Sequence, residues 1–353
     1  MSKFAYNQES HPFFDRLQQK VYAYFEDNKL EMTGGPKIWL KAVIYIALAI
    51  LNYWLMLWVV PIGGWSVLLC ITMGGMLAAI GFNVMHDGAH GAFSKHEWIN
   101  NIMGFSLNFM GGDVNLWKIK HNLIHHSFTN VEGLDDDIDV EPYVRTNPHQ
   151  EYKKMHRFQH LYVTFFYALT YLNWIFFADF EKYFTNKVGD VKFRKLSTKA
   201  HISFWFGKVG FIFLAIVLPI IVVGFWKAVV GFLIASFACG ILLALVFQVA
   251  HVVEETSFLS VEEMKTDKEW AVTQLNGTAN FSTKNPVMLF LTGGLNHQIE
   301  HHLFPRISHI HYPQISKIVK ETCAEFGIQY HEYKTFLSAV ASHYGHLRKM
   351  GIA

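Results

Sequence analysis

Between Trp117 and Asn130 the chain reads WKIKHNLIHHSFTN, and its core, His121-Asn-Leu-Ile-His125-His126, sets three histidines within six residues. On a helix, residues four apart share a face, so His121 and His125 present two imidazoles to one point. His126 lies about 100° further round, given about 3.6 residues per turn. Two more clusters repeat the pattern: His86-Asp-Gly-Ala-His90 upstream and His297-Gln-Ile-Glu-His301-His302 downstream. Eight of the 20 histidines sit in these three places. A single spaced pair is an ordinary packing feature, whereas three clusters in one chain point to metal ligation.

The segments around the clusters are too apolar for soluble domains. Of 353 residues, 52% are hydrophobic and 16% charged, which places the chain in a bilayer. A spanning helix needs about 20 apolar residues to cross about 30 Å of hydrocarbon, and four stretches qualify: Ile38 to Val60, Trp65 to Met85, Phe204 to Gly224 and Ala228 to Val249. Short turns join them pairwise into two helical hairpins. Lysine and arginine fix the orientation, because short flanking segments rich in them stay cytoplasmic. The arm through Lys41 carries six, the segment from His86 to Trp205 thirteen and the tail from Val252 nine, whereas the hairpin turns hold only Lys227. The expected fold is therefore an all-α integral membrane protein of four transmembrane helices, with a cytoplasmic helical cap holding the site. Its parts are an amphipathic arm (1–37), a membrane domain (38–313) and a helical tail (314–353), with both termini cytoplasmic.

Leu161 to Ala178 is a fifth apolar stretch. Thr164, Tyr167, Thr170, Asn173 and Trp174 interrupt it, and Trp and Tyr favour the interface; it reads as a helix lying on or dipping into the cytoplasmic leaflet. Counted as a span, it would separate the clusters across the membrane. Phe13, Phe14, Leu17, Val21, Tyr24 and Phe25 recur at helical spacing, as an amphipathic helix on the membrane or packed on the cap. The N-terminus has no basic-then-apolar start with a cleavage site, so insertion is expected to rely on the internal spans.

Cys70, Cys239 and Cys323 form no paired motif and read as structural. A net charge of +2 gives no electrostatic footprint for nucleic acid. Imidazole suits iron, zinc, copper or nickel, but eight or nine histidines exceed one zinc site, which takes four ligands or fewer. HExxH is absent: His96-Glu97 and His331-Glu332 each lack the second histidine, so an intramembrane zinc protease is disfavoured. Two metals sharing one cage fit better.

The three clusters, in this order and between two hydrophobic hairpins, resemble the histidine boxes of the membrane fatty acid desaturases. WKIKHNLIHHSFTN and GGLNHQIEHHLFPRISHIHYP (Gly293 to Pro313) carry the likeness, and Gln298-Ile-Glu-His-His resembles the third box of the front-end members. The resemblance implies two iron ions that use O₂ and two outside electrons to place a cis double bond in a long acyl chain. It makes ligands of His86, His90, His121, His125, His126, His301 and His302, adds His251 at the end of the fourth span, and puts Gln298 at the last position. His297 competes with Gln298, since imidazole is the better iron ligand.

A ligating imidazole usually gives its other N–H to a carboxylate or carbonyl, and Asp87, Asp113 and Glu300 are nearest in sequence. The acidic run Asp135 to Asp137, with Asp139 and Glu141, reads as a solvated loop. His309, His311, His343 and His346 read as surface or packing residues. Lys153, Lys154, Arg157, Lys192, Arg194, Lys195 and Lys199 form a basic stretch suited to a coenzyme A phosphate or anionic headgroups, or to the positive-inside rule alone. Front-end relatives often carry a fused cytochrome b5 with an HPGG haem motif, whereas the only His-Pro early in this sequence is His11-Pro12. No bound haem is expected, and the donor is expected to be a separate ferredoxin or free cytochrome b5 in a bacterial inner membrane. The acyl group is expected on coenzyme A or a phospholipid. The nearest rival is a hydroxylase or ketolase using the same cage; a metal transporter would call for polar residues at mid-membrane, where the spans hold only scattered ones such as Asn52 and Gln248.

Overall fold

Helices dominate the computed structural model, which describes residues 11–265 and 269–352; the first ten residues of the expected N-terminal arm lie outside them. In chain order come α1 (Pro12–Asp27), α2 (Gly35–Val59), α3 (Gly64–His90), α4 (Glu97–Phe109), α5 (114–125), α6 (Lys154–Thr185), α7 (Thr198–Val223), α8 (Phe225–His251), α9 (Trp270–Asn276), α10 (Pro286–Thr292), α11 (Gln298–Leu303), α12 (Tyr312–Phe326) and α13 (Phe336–Met350). Two short two-stranded pairings complete it: antiparallel β1 (Lys187–Val188) with β2 (Val191–Lys192), and parallel β3 (Asn280–Phe281) with β4 (Glu332–Tyr333).

Five helices, α2, α3, α6, α7 and α8, are long and apolar enough to cross a membrane, with mean hydropathy from 1.4 in α6 to 2.7 in α8. The fifth, α6, runs well beyond the apolar stretch 161–178 because polar residues at both ends find buried partners. At its start Gln159 donates to the carbonyls of Arg145 and Leu347. At its end the Lys208 ammonium of α7 meets the Asp179 carboxylate at 2.9 Å.

Small residues let the long helices close up, as is usual where lipid removes the hydrophobic drive between them. A Cβ on Gly74 of α3 would overlap the Ala235 carbonyl of α8, and one on Gly240 would press on the carbonyls of Tyr167 and Ala168 in α6. Cys70, Cys239 and Cys323 are buried and unpaired.

The cap closes over the histidine-bearing ends. Phe13, Leu17, Val21 and Phe25 of α1 are buried against Ile299, Leu303, Ile315 and Val319 from α11 and α12, so the apolar face of α1 is spent on the cap. Full burial of such a side chain contributes roughly 1.5–3 kcal/mol. The N-terminal helix therefore clamps the third histidine cluster in place.

Candidate metal centre

The three clusters meet at one point, each by a different local geometry. α3 enters through a π-helical turn, Gly81–Met85, and ends in one α-helical turn, His86–His90, whose two rings lie 4.6 Å apart between centroids. The second cluster departs from the expected α-helix. Residues Lys118–His125 are π-helical, and the His126 N–H donates to the His121 carbonyl at 3.1 Å, a bond spanning five residues. This wider turn brings His126 back beside His121, their ring centroids 4.8 Å apart, where an α-helix would have turned it away. In α11 the adjacent rings of His301 and His302 stand at 85° to each other. One faces the first cluster and the other the second.

Two donor groups result. Ring nitrogens of His86, His90, His121 and His301 lie within 4.8 Å of one another, as do those of His125, His251 and His302. His126 stands between them, its centroid 4.6 Å from that of His301 and 4.4 Å from that of His302. His251, the last residue of α8, is fully buried in the second group.

Hydrogen bonding anchors one side of four of the rings. Nδ1 of His121 meets Asp137 at 2.7 Å, Nδ1 of His125 meets Asp135 at 2.8 Å, Nδ1 of His301 meets the Tyr312 hydroxyl at 3.1 Å and Nδ1 of His302 meets Gln274 Oε1 at 2.8 Å. Nε2 of His86, His90, His121, His125 and His301, both nitrogens of His126 and the Gln298 Oε1 are buried with no hydrogen-bond partner among the described residues. An unpaired buried polar atom costs roughly 1–3 kcal/mol. So many, aimed at one volume and backed by anchored partners, match metal ligation, in which the second ring nitrogen is held by an outer group.

Charge favours the same use. Burial, then the neighbouring rings, holds His126, His301 and His302 well below the usual imidazole range, so they stand neutral with lone pairs free. Burial would push the Asp137 carboxyl up, but Lys120 at 2.8 Å and His121 hold it well below the ordinary carboxylate range. Neutral imidazoles backed by ionised carboxylates suit a divalent first-row metal.

The other expected residues fall into place unevenly. The Gln298 amide nitrogen is 2.9 Å from His251 Nε2 and 3.4 Å from His302 Nε2; turned over, the amide would present its oxygen to the same point. His297, just before α11, lies 3.6 Å from Glu300, and although both its ring nitrogens are buried without a hydrogen-bond partner among the described residues, it joins neither donor group. Glu300 accepts from Asn280 and Tyr330, both at 2.7 Å, and Asp87 binds Ser308 at 2.8 Å and His309 at 2.9 Å. These two carboxylates tie the third-cluster segment to its neighbours, and Asp113 caps α5 by accepting from the N–H groups of Asn115 and Leu116.

Two readings of the sequence are corrected here. Asp135 to Asp137 is no solvated run: Asp135 is buried and holds His125, and Asp137 holds His121. The loop turns back because Asn130 and Gly133 adopt positive φ, 56° and 75°, and because Asp135 accepts the N–H groups of Asn130 and Asp137. The Asn-x-x-Gly spacing is the turn signal that marks it. His309, set aside as surface or packing, is buried between Asp87 and Lys41, whose Nζ lies 2.8 Å from its Nε2. An apolar wall completes the site: the indole of Trp117 stacks on His121 at 4.4 Å and packs with Met85, Leu107 and Trp174.

Residues 63–334 match the family model described as fatty acid desaturase. The chain is 36% identical over 349 residues to the sn-1 linoleoyl-lipid 6-desaturase of Arthrospira platensis, covering 96% of this chain and 93% of that protein. It is 37% identical over 346 residues to the protein of the same name from Synechocystis sp., covering 96% and 95%. An acyl-lipid (8-3)-desaturase of Physcomitrium patens is 37% identical over 98% of this chain and 72% of its own length.

Proposed function

The chain belongs to the fatty acid desaturase family and is a membrane-bound oxidoreductase that desaturates fatty acyl chains; from that premise we propose a di-iron enzyme acting on acyl chains esterified in membrane lipid. One observation carries the reading: two groups of buried imidazoles share one volume, the first with its Nε2 atoms free and the second meeting the Gln298 amide.

On this reading His86, His90, His121 and His301 hold one iron, and His125, His251, His302 and Gln298 the other, with His126 between them. When bound, the irons supply the O₂ chemistry that removes two hydrogens from unactivated carbons. The two hydrogens lost by the acyl chain, together with two electrons and two protons from outside, reduce one O₂ to two waters, leaving one double bond. Asp135, Asp137, Gln274 and Tyr312 fix the rings so that no reorganisation is needed as charge changes. The Trp117 wall offers the acyl chain an apolar surface against the first group and keeps water away.

The lipid-linked substrate is supported by the names of the relatives, linoleoyl-lipid and acyl-lipid desaturases. A topology of four spans is supported by parity. α3 ends in the site and α8 ends in the site; α7, hairpinned to α8, must begin on that side. Because α6 leaves the second cluster and leads to α7, it begins and ends on that side too. The positive flanks support a cytoplasmic position for that side and for both termini. On this reading the electrons arrive from a separate one-electron carrier.

Gas chromatography with mass spectrometry of lipid classes from an expressing host tests this. A new double bond appearing in intact glycerolipid before the acyl-CoA pool, absent with His125→Ala, is expected. New hydroxylated chains, or product appearing first as acyl-CoA, would overturn it.

A further inference from the structure

The sequence carries a basic stretch that the metal centre does not use. We propose that residues 187–199, the β1–β2 hairpin and the segment leading into α7, are the docking surface for the electron carrier, a small acidic one-electron redox protein; this rests on the separate donor inferred above.

The hairpin has two unlike faces. Inward, Val188 and Val191 are buried against Ile124 and Phe128 of the second cluster and Val131 and Leu134 of the loop behind it. Outward, Lys187, Lys192, Arg194, Lys195 and Lys199 are exposed, and none forms an ion pair with a carboxylate among the described residues. Asp190 at the tip is the one acidic residue within 187–199, so five cations less one anion leave +4. Glu262 and Glu263, on a helical turn whose Met264 joins the same apolar cluster, bound the patch on one side.

Position adds to charge. The loop beneath the hairpin supplies the carboxylates that hold His121 and His125, each by one hydrogen bond. Lys182, five residues before the hairpin, reaches the same loop at Asp136, 3.0 Å away. A carrier seated here lies over the hairpin and the loop whose carboxylates hold the rings of His121 and His125. The other basic group, Lys153, Lys154 and Arg157, sits at the opposite end of α6, where Gly351 packs on His156. A surface of one sign steers an oppositely charged partner and speeds encounter, an effect that salt removes. Each docking delivers one electron, so two carriers are oxidised per double bond formed.

The test uses the iron-loaded full chain in phosphatidylcholine nanodiscs, with lipid substrate and a reduced [2Fe–2S] ferredoxin as probe. K187E/K192E/R194E is expected to raise the KM for ferredoxin at least about tenfold at low salt and to flatten its salt dependence, with iron content and kcat at saturating ferredoxin unchanged. K153E/K154E/R157E is expected to leave the KM as it was. Should the charge reversal fold poorly, carbodiimide cross-linking of the unaltered enzyme is expected to join ferredoxin carboxylates to Lys187 or Lys192. An unchanged KM, an equal shift in the control variant, cross-links elsewhere, or an effect seen only when phosphatidylserine replaces phosphatidylcholine would each overturn the docking site. Failure of the unaltered enzyme to form product with any donor would instead count against the desaturase reading itself.

Discussion

Nδ1 of His125 lies 2.8 Å from a carboxylate oxygen of Asp135, and both side chains are buried. Ten residues of chain separate them, and the turn at Asn130 and Gly133 brings them together. His121 and Asp137 repeat the relationship at 2.7 Å. These pairs leave Nε2 of each ring facing the shared volume.

Asp135→Asn and Asp137→Asn should each weaken iron binding about 10- to 100-fold, the usual cost of losing an outer partner of a ligating histidine. Iron retained against a graded chelator series measures this. Asp139→Asn, exposed on the same loop, should retain iron like the unaltered chain.

At the third cluster the geometry separates two neighbours. Gln298→Ala should lose iron and desaturation, because its amide lies against His251 and His302. His297→Ala, whose ring faces Glu300, should keep iron. Metal analysis of the two purified variants decides, and iron loss confined to His297→Ala would reverse the assignment.

Lys208 is held by the Asp179 carboxylate and by the carbonyls of Gly111 and Ile175, at 2.6–2.9 Å. Both charges are almost fully buried. Lys208→Met should destabilise by about 3–5 kcal/mol, because it strands the Asp179 charge, whereas Lys208→Met with Asp179→Leu should recover most of that. Thermal unfolding in detergent measures both, and equal losses would contradict the pairing.

Gly293 has a φ of 60°, and a Cβ there would overlap the Phe82 carbonyl in the π-helical turn before His86. Gly293→Ala should push the third cluster away from the first and lower both iron content and activity, with far-ultraviolet circular dichroism little changed. Full activity in the variant would show that the close approach is dispensable.

Much of this was legible in the sequence, because the signals were periodic. Apolar runs of spanning length and histidine pairs four residues apart read directly as helices and as ligands on one face. His251 was pointed to by the family resemblance, which takes a histidine at the end of the fourth span. What escaped was set by tertiary folding. Asp135 and Asp137 look like a hydrophilic loop until the chain turns back on itself. The π-helical winding of residues 118–125 has no hydropathy signature, yet it brings His126 into the site. His309 follows the third cluster by only a few residues, but its partners, Lys41 and Asp87, lie more than 200 residues earlier. The length of α6 depended on Asp179 finding Lys208, a pairing invisible to a hydropathy window.

The central claim is that one cage of buried imidazoles holds two irons. Metal analysis of the purified full chain, with His126→Ala beside it, tests this most directly. About two irons per chain are expected, falling for both positions together in the variant because His126 stands between the two groups. A single metal per chain, or zinc in place of iron, would contradict it.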